Sequence, residues 1–446
     1  MLVQFSVENF RSIANVQELS MVASPAAHKA GHSISVDVPG AQGLKLLRTA
    51  VIYGPNAAGK SNLCRALTLS GLLVRDTATE RRPVDRLPVT PHLGEPGCRD
   101  LPSRFSFVII AQQQRYDYTF AVTAQAVHHE SLVAYPNGRA QKWFERNLVD
   151  GRSVYKYSRN HFNADPSIEK KTRPNALYLS TAVQWNDEQL LPVYEWFGDT
   201  LRQLDLSHNY SSTAHVMSEY LKSQPHQHER IAELLRMADS TIKSIEVTQK
   251  KLEPSDFPEW LREAVEKNLG EDADTIYYKI RASHFGEERF TLDFEEESGG
   301  TRKLFELIGP WLLTKLHGLV GCFDEIETSL HPLLVRQLVR LCLSPHGMGQ
   351  YILFTHATDL LRGSLLHRDE IWFCEKDRNN QTQLYPLSDY RTRSGEALEK
   401  NYKSGKYGAI PVESSVLSTW NELVSPDDAD QGAFDFDEVA ARKEAD

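Results

Sequence analysis

The amino-acid sequence predicts an α/β fold with a mixed sheet and a helical lobe inserted into it. Three observations lead to this fold class. A glycine-rich segment at 54–61 lies between an apolar, β-branched stretch and a stretch with helical apolar spacing. Two apolar stretches, at 319–323 and 351–354, end in polar residues, as buried parallel strands often do. Between these segments, residues 186–275 are predicted to form helices.

The segment GPNAAGKS at 54–61 matches the phosphate-binding pattern G-x-x-x-x-G-K-[ST]. Its glycines allow backbone N–H groups to line an anion site, and the following helix places its positive end there. Lys60 is expected to reach the β- and γ-phosphates of ATP, and the Ser61 hydroxyl to bind Mg²⁺. The remaining loop positions are predicted to contact the same nucleotide, and they are Gly54, Pro55, Asn56, Ala57, Ala58, Gly59 and Asn62.

An Asp-Glu pair, Asp324 and Glu325, follows the apolar strand predicted at 319–323. Ligands of open α/β sheets gather at the carboxyl ends of strands, so this pair is expected near the phosphate loop. We expect Asp324 to bind Mg²⁺ directly or through water, and Glu325 to act as the general base on the attacking water. A strand end with solvated acids is the alternative, and the phosphate-binding pattern favours the catalytic interpretation.

His356 ends the second apolar strand, YILFTH at 351–356. At that position an imidazole can donate a hydrogen bond to the γ-phosphate and respond to its loss. A lone histidine at a strand end is often incidental. The order of phosphate loop, Asp-Glu pair and histidine favours the interpretation that His356 takes part in catalysis.

The segment Ser298, Gly299 and Gly300 precedes a stretch with helical apolar spacing. Ser298 is a good N-cap, and the two glycines expose N–H groups at the positive end of a helix. The segment is therefore predicted to be a second anion site. It serves the nucleotide held at 54–61 when a second chain brings it there, although a plain loop-to-helix junction has the same sequence features.

These motifs together resemble the ABC-type ATPases of the SMC/RecF group, so the implied fold is a P-loop nucleoside triphosphatase of the ABC-ATPase type. The opening MLVQFSVENFRSI is similar to the first strand and turn of that group, and the resemblance implies that Arg11 lies near the nucleotide. DEIETSLHP at 324–332 resembles the stand-alone members. RYDYTFAV, IWFCEKD, LYPLSDY and GKYGAIP are similar to motifs of bacterial phage-defence and abortive-infection ATPases, such as RloA-like proteins and the ATPase of PARIS systems.

The resemblance implies a homodimer, or a higher assembly of such dimers, that closes around ATP and Mg²⁺ and opens after hydrolysis. It also implies a sensor or scaffold role in phage defence, in which the ATPase controls a co-encoded effector, expected to be a nuclease. The alternative is a DNA-repair or recombination ATPase that binds DNA. A self-contained nuclease is disfavoured, because the segment after His356 lacks the acidic motifs of a Toprim nuclease.

Two features depart from the ABC pattern. The signature segment reads SGGT where many ABC proteins have SGGQ. The glutamine loop that this resemblance implies has four open candidates, which are Gln112, Gln113, Gln114 and Gln184.

The chain is expected to form one ATPase head from two separated parts. The first part is 1–185 and the second is 276–412, with the helical lobe of 186–275 between them. Residues 413–446 form an acidic tail that we expect to be disordered.

Composition predicts a cytoplasmic protein. The 446 residues carry a formal net charge of −10, which argues against strong nonspecific DNA binding over the whole surface. No apolar run reaches the roughly 18 residues of a membrane span, so no membrane association is expected. The five cysteines are scattered through the sequence, which predicts reduced core thiols rather than disulfides or a metal site.

Overall fold

The computed structural model describes residues 1–25, 31–204, 210–251, 276–286, 288–391 and 396–410. Of these, residues Met1–Ala409 belong to one structural unit. The predicted acidic tail at 413–446 lies outside the described residues, and so does the 252–275 end of the predicted helical lobe.

Eighteen strands form within the described part of the chain. The first ten are β1 Leu2–Glu8, β2 Gln17–Ser20, β3 Ser33–Val36, β4 Leu44–Leu47, β5 Thr49–Tyr53, β6 Ser103–Ala111, β7 Gln114–Val122, β8 Val127–Ala134, β9 Gln141–Val149 and β10 Arg152–Tyr157. The other eight are β11 Leu201–Leu204, β12 Ile242–Lys251, β13 Ile276–His284, β14 Phe290–Asp293, β15 Val320–Asp324, β16 Gln350–Thr355, β17 Ile371–Lys376 and β18 Thr382–Pro386.

Nine α-helices form among the residues that the structure describes. They are α1 Lys60–Asp76, α2 Pro166–Lys171, α3 Tyr178–Gln184, α4 Leu191–Glu195, α5 Tyr210–Ser223, α6 His228–Leu235, α7 Gly299–His317, α8 Pro332–Cys342 and α9 Leu398–Lys403. Two of these helices follow predicted motifs. α1 begins at Lys60, directly after Gly59, and α7 begins at Gly299.

A seven-stranded sheet has the order β10-β9-β8-β7-β6-β1-β2, and all of its neighbouring strands are antiparallel. Burial largely alternates along β6, β7 and β8, because one face of the sheet packs on the core.

A six-stranded sheet has the order β11-β15-β16-β5-β17-β18. Its neighbouring strands are parallel except for β17 and β18, which are antiparallel. β5 and β16 are buried along their whole length, which explains their continuous apolar sequence. The predicted α/β class with a mixed sheet is therefore confirmed. Because β15, β16 and β5 are adjacent and parallel, their carboxyl ends meet at one edge of the sheet.

The prediction of helices throughout 186–275 is wrong at two strands. β11 pairs in parallel with β15, and β12 pairs with β13 in a three-stranded sheet that β14 completes. Pairing with strands far along the chain decided the conformation of these segments, and local apolar spacing carries no information about such partners. The boundaries of the lobe itself stay a prediction.

Side chains from the two large sheets belong to one buried apolar cluster. The rings of Phe5 and Phe107 in the seven-stranded sheet lie 4.8 Å apart, and Phe107 lies 4.9 Å from Phe197. Val320 and Phe354 of the six-stranded sheet belong to the same buried cluster. Each such side chain contributes about 1.5–3 kcal/mol when fully buried, so the edge that carries the predicted motifs rests on a rigid support.

A buried ion pair fixes α3 to the seven-stranded sheet. Glu130 on β8 and Arg146 on β9 are both fully buried, with 3.7 Å between Oε2 and Nη1. Glu130 also accepts hydrogen bonds from the backbone N–H groups of Tyr178 at 2.6 Å and Leu179 at 2.8 Å. Burial raises the pKa of Glu130, and Arg146 and these N–H groups oppose that shift. The pair therefore sets where α3 starts.

Candidate functional site

The predicted motifs meet at one edge of the six-stranded sheet. Asp324, the last residue of β15, pairs with Phe354 on β16, and Thr355 on β16 pairs with Tyr53 on β5. The phosphate loop follows Tyr53 directly. The structure therefore brings the end of β5 together with the ends of β15 and β16, which lie more than two hundred residues later in the sequence.

The phosphate loop has a backbone that only small residues permit. Gly59 has φ of 108°, and a Cβ there would lie 2.0 Å from Oγ1 of Thr382. A Cβ on Gly54 would lie 2.1 Å from the carbonyl oxygen of Cys374. Ala57 has φ of 63°, in the left-handed region. No side chain caps α1 at Gly59, so its first N–H groups stay available to an anion.

Lys60 lies at the centre of this edge and is 6% exposed. Its Nζ donates to the carbonyl oxygens of Gly54 at 2.8 Å and Pro55 at 3.2 Å, and lies 2.9 Å from Nε2 of His356. Burial lowers the pKa of Lys60, while the carboxylates of Asp324 and Glu325 are among the groups that oppose this shift. The ammonium group is thus held at the loop with few water molecules around it.

His356 presents its imidazole to Lys60. Burial lowers the pKa of His356 below its ordinary value of 6.5, and the nearby Lys60 lowers it further. The imidazole is therefore neutral at pH 7, with Nε2 accepting from the Lys60 ammonium group and the ring proton on Nδ1.

Asp324 has an environment that suits a divalent cation. Burial raises the pKa of its carboxyl group, and interactions with the Ser61 hydroxyl and Lys60 oppose the shift. Its Oδ1 atom is buried and accepts no hydrogen bond from any residue that the structure describes. A carboxylate oxygen and a hydroxyl are ligands that Mg²⁺ uses beside phosphates, so Asp324 and Ser61 fit that ion.

Glu325 differs from Asp324 in being exposed. Its φ is 50°, and its N–H donates to the carbonyl oxygen of Phe354 at 3.0 Å, which extends the β15–β16 pairing by one residue. This left-handed conformation turns the chain sharply after β15. The carboxylates of Glu325 and Asp324 therefore occupy different environments, because Glu325 is exposed whereas Asp324 is half-buried with its Oδ1 atom fully covered.

A cleft of about 390 Å³ opens over the phosphate loop, within the size range of ligand sites. The predicted residues that line it are Asn56, Ala57, Ala58, Gly59, Lys60, Ser61, Asn62, Glu325 and His356. Two lining residues were not predicted, namely Arg65 and Lys376, and a third, Ser12, belongs to the opening turn that the resemblance implies near the nucleotide. Arg65 lies one helical turn after Ser61, a spacing from which it could have been found. Lys376 ends β17, and only the strand order reveals that it is near.

Arg11, predicted to contact the nucleotide, does not line this cleft, whereas its neighbour Ser12 does. Ser12 accepts a hydrogen bond at Oγ from Nδ2 of Asn62 at 2.8 Å. Burial lowers the pKa of Arg11, and Arg65 lowers it further, so the two guanidinium groups are near each other at the rim. A role for Arg11 at the nucleotide stays a prediction.

The segment Ser298–Gly300 begins α7 and is not part of the lining of the cleft. Ser298 caps the helix by accepting from the N–H of Thr301 at 3.1 Å. Ser298 and Gly299 are exposed, and a Cβ built on Gly299 would meet no atom within 4 Å. The preceding residue, Glu297, is buried and lies 2.7 Å from Nε2 of His284. The segment is therefore an anchored helix end whose backbone is open at Gly299, whereas a Cβ on Gly300 would lie 3.3 Å from the carbonyl oxygen of Ser329.

Other sequence predictions can also be placed. Gln112 and Gln113 have positive φ in the turn between β6 and β7, and none of the four glutamine candidates lines the cleft. All five cysteines are free, and four are buried. Among the described residues, no group of three or more His, Cys, Asp or Glu side chains is arranged to hold a metal ion. No described helix combines the length and apolarity that crossing a membrane requires.

Comparison with solved structures finds SMC head domains. One is an SmcHead bound to the C-winged helix domain of ScpA, with 13% identity, a TM-score of 0.43, and coverage of 86% of this chain and 97% of that chain. A second is the SMC head domain from Thermotoga maritima, with 14% identity, a TM-score of 0.39, and coverage of 86% and 98%. A third is an Smc head domain with an extended coiled coil, bound to the C-terminal domain of ScpA derived from Pyrococcus furiosus, with 13% identity, a TM-score of 0.36, and coverage of 91% and 98%.

Comparison with protein families gives a match to an AAA domain described as putative AbiEii toxin, type IV TA system, over residues 50–362. No curated protein matches the chain significantly. The family match spans the phosphate loop, the Ser298–Gly300 segment, the Asp-Glu pair and His356, so it includes the four motifs from which the ATPase site was predicted. The chain therefore belongs to this family of AAA domains.

Proposed function

We propose that the chain is a cytoplasmic ATPase that binds ATP with Mg²⁺ in the cleft and hydrolyses it to ADP and phosphate. The observation that carries this proposal is the meeting of Lys60, Asp324, Glu325 and His356 at one edge of the sheet. Each of them ends or follows a buried strand or begins α1, so their positions are fixed by the core.

The side chains divide the chemistry between them. The loop N–H groups and Lys60 would bind the β- and γ-phosphates, which are the anions that such a buried cation selects. Ser61 and Asp324 would hold Mg²⁺, which neutralises charge on the phosphate oxygens when it is bound. His356 would donate to the γ-phosphate once Lys60 turns toward the phosphates and the freed Nε2 takes up a proton.

Glu325 would act on the attacking water. Its exposed carboxylate accepts a proton from that water as the new bond to the γ-phosphorus forms. The bond between the γ-phosphorus and the bridging oxygen breaks, and ADP leaves with the electron pair. Glu325→Gln would retain the shape of the site and lose the base, so it is expected to bind ATP and to hydrolyse it very slowly.

We further propose that the nucleotide is enclosed by a second copy of the chain. Ser298–Gly300 presents a capped helix N-terminus with an open backbone, and it does not line the cleft of its own chain. In a two-fold dimer each segment would cover the γ-phosphate in the partner's cleft, giving two equivalent sites. ATP would then stabilise the closed dimer, and hydrolysis would release it.

The experiment is to measure the mass of Glu325→Gln by light scattering with and without ATP and Mg²⁺. The proposal predicts a monomer without nucleotide and a dimer with it. Lys60→Ala in the same background should remain monomeric. Wild-type turnover carried out by a protein that stays monomeric at every ATP concentration would contradict the proposal.

The switch is proposed to control a co-encoded effector in phage defence, expected to be a nuclease. The family description, which names a putative AbiEii toxin, supports a role of this kind. Affinity purification of the chain with its operon neighbours, with and without ATP, tests it. We expect a stable complex with a neighbour, and we expect the amount of that complex to change when ATP is added. If deleting the gene for this chain had no effect on phage growth, the proposed role would be contradicted.

DNA binding as a repair or recombination ATPase is the second candidate. The basic stretch at 75–86 gives it only modest support, because Arg75 pairs with Asp76 at 2.7 Å and Arg82 pairs with Asp85 at 3.2 Å. Such pairs reduce the local positive charge that attracts phosphates. ATPase assays with and without duplex DNA separate the two candidates, since the repair role requires strong stimulation and the effector role does not.

A further inference from the structure

A carboxylate outside the predicted motifs connects the ends of β15 and β16. Glu327 accepts at Oε2 from the hydroxyl of Thr355 at 2.6 Å and at Oε1 from the N–H of His356 at 2.5 Å. Both oxygens of one side chain are thus directed at two consecutive residues of the neighbouring strand. The sequence gives no sign of this, because Glu327 reads as a solvated acid in a loop.

The turn after β15 aims Glu327 at its partners. The side chain of Ile326 is fully buried and anchors the turn in the core. The N–H of Thr328 donates to the carbonyl oxygen of Glu325 at 3.1 Å, and the N–H of Leu330 donates to that of Glu327 at 3.0 Å. With its backbone held on both sides, Glu327 reaches β16 in a defined position.

The two residues that Glu327 holds determine how the chain leaves β16. Thr355 is fully buried, and its hydroxyl oxygen also accepts from the N–H of Ala357 at 3.0 Å. His356 lies between them with its N–H on Glu327 and its imidazole 2.9 Å from Nζ of Lys60. Glu327 therefore fixes the backbone from which the imidazole projects into the cleft.

We propose that Glu327 is the positioning residue for His356, holding the imidazole at the place where it meets Lys60 and the γ-phosphate. This inference rests on the proposed ATPase function. The carboxylate acts through its geometry, because one oxygen holds the Thr355 hydroxyl and the other holds the His356 N–H; we call this pair of hydrogen bonds the clamp. A displacement of about 1 Å in a group that contacts the reacting phosphate lowers turnover by up to a hundredfold.

Two substitutions separate geometry from charge. Glu327→Gln retains the clamp, because its amide oxygen accepts from the His356 N–H while its NH₂ group donates to the Thr355 hydroxyl, which can act as donor or acceptor. Glu327→Ala removes both contacts. Thr328→Ala is the matched control, since Thr328 is exposed in the same turn and its hydrogen bond to Glu325 is made by its backbone N–H.

The measurements are kcat, KM and the Kd of ADP. We expect Glu327→Ala to lose at least tenfold in kcat with a KM and an ADP Kd within about threefold of wild type. Glu327→Gln should lie within about threefold of wild-type kcat, and Thr328→Ala should match wild type. Wild-type kcat in Glu327→Ala would overturn the inference. Equal losses in Glu327→Gln and Glu327→Ala would also overturn it, because charge and not position would then matter.

A readout without turnover separates this inference from the proposed function. The imidazole NMR signals of His356 in the nucleotide-free protein should shift in Glu327→Ala and stay near their wild-type positions in Glu327→Gln. If Glu327→Ala does not fold, Thr355→Val removes one of the two anchors and should give a smaller shift of the same signals. Signals that stay unchanged in Glu327→Ala and in Thr355→Val would refute the positioning role. A wild type without ATPase activity would refute only the proposed function.

Discussion

Replacing Gly299 with alanine should separate the stability of the monomer from formation of the ATP-bound dimer. Gly299 is exposed at the start of α7, and a Cβ there would meet no atom within 4 Å. Gly299 does not have a positive φ, so alanine adopts the same backbone conformation without strain. In the isolated chain the substitution is therefore neutral or stabilising, by up to about 1 kcal/mol.

The dimer should respond in the opposite direction. If the backbone of Gly299 packs against the partner's nucleotide, an added methyl group overfills a close contact, which costs about 1–3 kcal/mol. A two-fold dimer contains this contact twice, so the total is about 2–6 kcal/mol. Since about 1.4 kcal/mol corresponds to a tenfold change in affinity, the dimer Kd should rise by roughly 30-fold or more.

The assay is sedimentation equilibrium of Gly299→Ala in the Glu325→Gln background with ATP and Mg²⁺, beside thermal unfolding of the nucleotide-free proteins. Gly97→Ala is the control, because a Cβ there also meets no atom within 4 Å, and Gly97 belongs neither to Ser298–Gly300 nor to the lining of the cleft. A dimer Kd within threefold of the parent, in a Gly299→Ala protein of full stability, would refute the proposed contact.

Three further predictions concern the fold and its pH dependence. Gly59→Ala combines left-handed strain of about 1–2 kcal/mol with the 2.0 Å approach to Thr382, so urea unfolding should show a loss of about 2–5 kcal/mol, and an unchanged midpoint would contradict this. Glu130→Ala leaves the fully buried Arg146 unpaired and should cost about 3–5 kcal/mol in the same assay, with a loss below about 1 kcal/mol counting against it. Burial lowers the pKa of Lys315 to about 8 from 10.5. The unfolded chain binds more protons between those values, so the stability of wild type relative to Lys315→Met should rise from pH 8 to 10.5, and a flat difference would contradict it.

The candidate site was largely predictable because its motifs are local. The loop Gly54–Ser61 lies between segments whose sequences indicate a strand and a helix. The continuous apolar sequences before Asp324 and His356 indicate buried strands with parallel neighbours. Parallel strands with ligand-binding carboxyl ends then require these residues to meet.

The parts that could not be predicted depend on long-range pairing. Lys376 reaches the cleft because β17 lies beside β5, and Glu327 contacts His356 because β15 lies beside β16. β11 and β12 became strands through pairing with β15 and β13, inside a segment that the sequence analysis predicted to form helices. Periodicity describes a segment's own faces and cannot name its partner.

The central claim is that each ATP is held between Lys60 of one chain and Ser298–Gly300 of another. The most direct measurement is a crystal structure of Glu325→Gln with ATP and Mg²⁺. Our account predicts a two-fold dimer in which the N–H of Gly299 points at the γ-phosphate bound in the partner's cleft. A nucleotide-loaded chain whose Gly299 faces only solvent would contradict it.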